Sequence, residues 1–561
     1  MSKDTRNLFL LLPGQKHGLA NTQQQLTLSR PRKTGMIRHK IDLENFDTFA
    51  LSRKKLPKHM SDLTVQNLDF DSPKQEELAR VFKLIKKTRN IQKLKFQLKS
   101  CNNQSLRNLS SVFRHINCPS KIRIEISNNK EINAQDLVPL VWNKKLASLS
   151  ILEIKFDTCS VLSEKKIDSF YKPLKRFRHL KKLQVHSQNF SVIRDRTLRT
   201  LTQAVHSLKH LSTLDLDYGS CPQLTDESLA TLSKCFRTLN TLSTIVLDMS
   251  QSQNLTNPGV IEFFTSLYDV GNLTNLRLKF YNCPYVDDKA IEALSTMISK
   301  KRSLRNLSFN FISCGAVTDH GVNDLILSLG LFTLLSTVYL EFSTADGITD
   351  RTFQNLAMVL LQNHESLTKL GIFFTDCLKI TSRGFECFAR EIERLERLEF
   401  LILNIEGLTQ INHVSFGILA QSIQKLSCLS VFCPIFPDCK SWTDQEINAL
   451  AYSLSNMKLL RYLSIFFGDC TEITDEGFRT LCASLKNLQN LSNLTLNFTG
   501  ANKISDKALE TIPLSVRNLC NLTSLGLVFL YCPRVTEENI NKIAQSLLGN
   551  NCKVYFNYME V

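Results

Sequence analysis

Apolar positions along the chain keep a strict period. Leu180, Leu211, Leu242, Leu273, Leu304 and Leu335 fall 31 residues apart, and after one 32-residue step Leu367, Leu398, Leu429, Leu460, Leu491 and Leu522 continue at 31. The series runs backwards through Leu149, Pro119, Ile91 and Leu63 with shorter spacings, and a final half-unit begins near Lys553, which gives 17 strand starts. Each unit opens on Leu-x-x-Leu-x-Leu-x-Phe or a close variant, as in Leu491-Ser492-Asn493-Leu494-Thr495-Leu496-Asn497-Phe498. Alternation of this kind predicts a short strand whose positions 1, 4, 6 and 8 enter a core, while positions 3, 5 and 7 face the other side.

Ten residues after the start a cysteine recurs (Cys101, Cys159, Cys221, Cys283, Cys314, Cys377, Cys439, Cys470, Cys532). A Thr-Asp step such as Thr474-Asp475 follows, suited to capping a helix and placing a carboxylate at its positive end. Phe478, Leu481, Leu485 and Leu488 then repeat at helical spacing, so each unit carries one apolar helical stripe beside one strand. Neither element buries its face alone. Stacking does, with parallel strands ~4.8 Å apart on an inner wall and helices outside, an arc of roughly 80 Å for 17 units.

The repeated Leu-x-x-Leu-x-Leu frame and the later Cys-x-x-[Ile/Val]-Thr-Asp motif resemble the leucine-rich-repeat superfamily, specifically the ribonuclease-inhibitor-like class and the cysteine-containing repeats of F-box substrate receptors. The resemblance covers about residues 63–561, and it implies an α/β solenoid (horseshoe) of parallel inner strands and outer helices. It is nearly silent on function, because one scaffold serves many partners. No F-box is apparent before residue 63, where Leu56-Pro57 is followed by Lys58-His59-Met60. The substrate-recognition subunit of a ubiquitin ligase therefore ranks third among the functional readings.

Strand phase turns the sequence into a map of the inner wall. The early units place Lys93, Lys95, Lys121, Arg123, Lys155, Lys182 and His186 there, a basic wall; the middle units change sign at Asp215, Asp217 and Asp248. The late units place Phe373, Phe400, Ile402, Val431, Ile435, Tyr462, Phe466 and Val528 there, expected as exposed apolar groups of a protein-binding surface unless neighbouring side chains cover one another.

Charge adds a second feature to this map. Residues 1–210 carry 41 Lys+Arg against 17 Asp+Glu, a net of +24, and residues 211–561 carry 28 against 35, a net of −7. Residues 78–124 hold 12 Lys+Arg and no acid, with Arg80, Lys83, Lys86, Lys87 and Arg89 assigned to a helix that precedes Lys93 and Lys95. An excess of this size calls for an anionic partner: RNA, an acidic protein or anionic lipid. Residues 1–62 read as a basic, largely irregular arm, since residues 5–41 contain seven Lys+Arg and no acid; the same composition suits a mitochondrial targeting segment.

Candidate chemistry is sparse. The 17 cysteines include no Cys-x-x-Cys and read as a buried thiol ladder rather than zinc ligands or disulfides. His206 and His210 share a helix face at metal-ligand spacing but lack an acidic companion, and Pro13-Gly14-Gln15-Lys16-His17-Gly18 lacks the order of a phosphate-binding loop. No catalytic residue, cofactor site or metal site is expected, and no transmembrane segment; an intracellular place, cytoplasmic or mitochondrial, is. The leading expectation is a non-enzymatic scaffold or adaptor that grips a protein with its late repeats and docks on an anionic partner with its basic third. The alternative is a structural component of an RNA-protein particle, ribosomal, with a mitochondrial place left open.

Overall fold

A computed structural model describes residues 38–42, 62–69, 92–99, 119–127, 146, 148–157, 164–343, 347–375, 377–547 and 553–557. Residues 1–37 and 38–561 are separate units, and the sheet belongs to the second. It contains eighteen described strands, from Arg38–Asp42 to Lys553–Asn557. Each pairs in parallel with the strand of the preceding and of the following unit, and in no other order. The sheet thus starts one strand upstream of residue 63, with Arg38 opposite Asp62.

The register confirms the phase set by the leucines. Leu276, Leu307, Val338, Leu370, Leu401, Phe432, Leu463, Leu494 and Leu525 lie in one row across the sheet, and all are core residues packed against the helices. Parallel pairing with a helical return is what a strand–helix repeat must produce, because the chain has to come back to the same end of the sheet. Phenylalanines at position 8 stack from unit to unit, Phe280 on Phe311 and Phe311 on Phe342 at 5.7 Å between ring centres. The fold is a leucine-rich-repeat solenoid.

The Thr-Asp step does more than cap its own helix. Asp444, the first residue of the helix Asp444–Leu454, accepts from the Thr474 N–H at 2.8 Å and from the Thr474 hydroxyl at 2.6 Å, one unit downstream. Asp195, Asp288, Asp319, Asp350, Asp475 and Asp506 make the same pair of bonds to the next Thr or Ser. The downstream helix often offers a glycine to this carboxylate: at Gly321 and Gly477 a Cβ would strike Asp288 and Asp444. A hydrogen-bonded tie therefore runs along the helix starts.

The thiols form a second tie. Cys221, Cys283, Cys314, Cys470 and Cys532 donate to the Ser187, Met249, Phe280, Phe436 and Phe498 carbonyls, each 34 positions earlier, at 3.1–3.4 Å. Burial pushes Cys221 and Cys283 up to about 12, so they persist as thiols and serve as small packing groups. The residue just before this phase takes a left-handed backbone, as at Ser220 (φ 60), Asn282 (φ 55) and Asp469 (φ 59), where the chain turns out of the strand.

Candidate interaction surface

Position 5 of one unit and position 7 of another supply two carboxylates that the basic reading of the early wall left out. Glu153 is 5% exposed and accepts from Lys121 Nζ at 2.9 Å and Lys182 Nζ at 3.1 Å, with the Arg123 guanidinium 3.6 Å from its other oxygen. Glu125 accepts from Gln97 and Arg123, and Lys95 Nζ lies 3.5 Å away. Burial by itself raises both carboxyls; against it, the Lys121 bond with the Lys182 and Lys121 charges at Glu153, and the Gln97 bond with Arg123 and Lys95 at Glu125, hold both below the usual carboxylate range. The early wall is consequently a salt-bridged mosaic rather than the uniform basic wall expected. Lys95, Lys121, Arg123 and Lys182 are all engaged in it; the Lys93 side chain is exposed, in the row of Lys121. Arg80, Lys83, Lys86, Lys87 and Arg89 lie outside the described residues.

The signal that would have found these acids is their parity: Glu125 and Glu153 alternate with buried Ile124, Ile126, Leu152 and Ile154, as the lysines do.

In the middle units, Asp215, Asp217 and Asp248 occur as the phase requires. His186 Nε2 lies 3.0 Å from Asp215 Oδ1, Gln188 donates to Asp217 Oδ2 at 2.5 Å, and the Gly219 N–H donates to Asp217 Oδ1 at 3.2 Å. Burial first, then the Asp248 charge in the same row, pushes Asp217 up to about 6. Burial also raises Glu341, two strands past Lys279, against the pull of Lys279, Asn310 and Arg277.

The late units require the main correction. Phe373 (3% exposed), Ile402 (0%) and Phe466 (7%) are buried, not presented to solvent. Their phase is nonetheless the one expected, because Leu370 and Leu463 fill the core and these three lie outside it, on the opposite face of the sheet. They are covered laterally. The Tyr339 ring lies over Gly371, where a Cβ would strike it, and meets Phe400 edge-on at 6.0 Å; the Phe466 ring folds back against Gly468. Strands less than 5 Å apart let a large ring roof a small neighbour, so an inward-facing aromatic row becomes a second, shallow core. Above it Tyr339, Phe400, Val431, Ile435, Tyr462 and, farther along, Val528 stay half-buried. Burial pushes the Tyr339 hydroxyl and the Cys433 thiol up to about 12, so this patch holds no ionised nucleophile at neutral pH.

His206 is engaged with the Thr238 hydroxyl at 3.1 Å and His210 stacks on His179, and among the described residues no group of His, Cys, Asp and Glu is arranged to hold a metal. No described helix is long and apolar enough to cross a membrane.

No protein-family model matches the sequence, and no curated protein does. Among solved structures, the leiomodin-1 actin-binding site 2 is 14% identical, covering 25% of this chain and 75% of its own with a TM-score of 0.21. TLR13, solved in complex with ssRNA13, is 14% identical over 92% of this chain and 65% of its own, TM-score 0.34. The tropomodulin C-terminal domain of Caenorhabditis elegans is 12% identical over 30% and 91%, TM-score 0.23. Scores of this size carry no argument about activity or partner, and the assignment as a leucine-rich-repeat solenoid stands on the chain's own periodic parallel register.

Proposed function

We propose that the chain is a non-enzymatic scaffold or adaptor of the ribonuclease-inhibitor-like, cysteine-containing class, and that it holds a protein partner on the open face of its late strands. The observation that carries this reading is a contiguous half-buried apolar patch, Tyr339, Phe400, Val431, Ile435 and Tyr462, seated on the buried layer of Phe373, Ile402 and Phe466. Side chains fixed from below lose little freedom on contact, which favours binding. At about 25 cal/mol per Å² of apolar surface, such a patch contributes several kcal/mol before association costs. The test is Phe400→Asp and Tyr462→Asp in the full chain, followed by purification from the source cells. Loss of one stoichiometric protein partner with unchanged circular dichroism supports the reading; a full set of partners retained by both variants refutes it.

A second reading, a structural role in an RNA-protein particle, draws on the +24 balance of residues 1–210. It predicts that affinity for RNA falls steeply with log salt and is lost when Lys83, Lys86, Lys87, Lys93 and Lys95 become Glu.

A further inference from the structure

The carboxylate tie and the thiol-to-carbonyl bond between neighbouring units are both lost at one joint. Position 413 is an exposed His, between a helix that begins with Ser (Ser382–Ile392) and one that begins with Asp (Asp444–Leu454). The Ser382 hydroxyl still accepts from the Asn412 N–H at 3.4 Å, and Glu386 from the Ser415 hydroxyl at 2.8 Å. The next threonine, Thr443, therefore has no carboxylate reaching it from upstream. Its N–H and hydroxyl turn instead to Glu446 of its own helix, at 2.8 and 3.2 Å. Glu446 stands where Gly477 stands one unit later, in the space that the incoming aspartate would fill. The two changes compensate, and a bond between units has become a bond within one.

At the same joint the thiol keeps the Leu408 N–H of the preceding unit but gives up the bond to the carbonyl 34 positions back. Cys439 donates to the Pro437 carbonyl of its own loop at 3.6 Å, where Cys470 reaches back to Phe436. On the other side of this unit Pro434 has no N–H to give, and the register to the following strand is interrupted between Phe432 and Ile435. The upstream joint is crossed by the strand pairing, the Ser430 hydroxyl on the Glu399 carbonyl at 3.0 Å, the Gly407 N–H on the Pro437 carbonyl at 3.3 Å, the Ser453 hydroxyl on the Ala420 carbonyl at 2.7 Å, and ring contacts of Phe416 with Trp442 (4.6 Å) and Phe436 (5.7 Å). Ring contacts tolerate sliding better than directed hydrogen bonds do. The Trp442 indole N–H is buried without an acceptor among the described residues, a donor that gains water on opening.

We propose that the joint between the helices His413–Gln424 and Asp444–Leu454 is a built-in hinge, the place where the solenoid opens first and divides into two cooperative blocks. In a linear array, stability is close to a sum of nearest-neighbour terms, so the joint with the fewest directed ties opens at the lowest free energy. The half-buried patch straddles this joint, with Phe400 before it and Val431 after it, but the hinge is a property of the free chain and does not depend on any partner.

Native-state hydrogen exchange on the full chain tests it. The amides of Val431–Ile435 and Asp444–Leu454 are expected to exchange at least tenfold faster than those of Asp475–Leu485. The double variant H413D/E446S, which restores the cross-unit acceptor and the room for it, is expected to remove most of that difference. Uniform protection across these elements in the unmodified chain, or opening centred elsewhere, overturns the proposal whether or not the variant folds. An unchanged profile in a folded variant also overturns it.

Discussion

The early and late thirds of the open face occupy the same three strand positions on the same sheet, yet they solve opposite problems. Between Lys93 and Gln188 the face carries surplus like charge, and two buried carboxylates draw the cations into pairs. Between Tyr339 and Phe466 it carries surplus apolar area, and rings fold over glycines and over one another until only part of each remains wet. The lesson is that strand alternation decides the face a side chain takes, whereas its exposure depends on neighbours one strand away, about 31 residues distant in sequence.

Substitutions on each side of the contrast test it. The largest effects belong to positions buried on either side of the late sheet. Leu370→Ala, in the main core, is expected to cost about 2–5 kcal/mol, and its nearest units should lose amide protection before distant ones; a purely global shift in melting contradicts the linear model. Phe373→Asp should cost a comparable ~3 kcal/mol or more, because it places a carboxylate in the shallow apolar layer. Tyr462→Asp, from the half-buried tier, should cost about 1 kcal/mol or less. Equal urea midpoints for the last two variants would mean that the two-tier description is wrong.

Glu153→Gln is expected to destabilise by about 1–2 kcal/mol, since it leaves Lys121, Arg123 and Lys182 facing each other. Those cations are about one-third exposed, so salt should recover much of the loss. A loss insensitive to salt would argue against repulsion as its cause.

The remaining effect is read in pH. Glu125 and Glu153 are held below the usual carboxylate value of 4.5, so their stabilisation is present above it and disappears as acid lowers the pH. Asp217 runs the other way: raised from 3.8 to about 6, it contributes stability below pH 3.8 that is lost as pH rises through about 6. The displacement corresponds to roughly 3 kcal/mol at most, before coupling with Asp248 reduces it. Asp217→Asn should therefore flatten the stability profile between pH 4 and pH 6.5 in urea titrations and leave the acid limb of the early units in place. An unaltered slope in that window would remove Asp217 as its source.

The sequence by itself determined the repeat, its phase and the fold class, because a leucine every 31 residues with period-2 alternation leaves one way to bury both strand and helix. It also determined which face each of Phe373, Phe400, Lys121 and Asp217 takes. Tertiary structure alone decided that Phe373, Ile402 and Phe466 are roofed over, that Lys121 and Lys182 share Glu153, and that Asp444 serves Thr474 rather than only its own helix. Each of these is a contact between residues about one repeat apart. Periodicity fixes the row a side chain joins; only packed neighbours, with their particular sizes and charges, fix what it meets there.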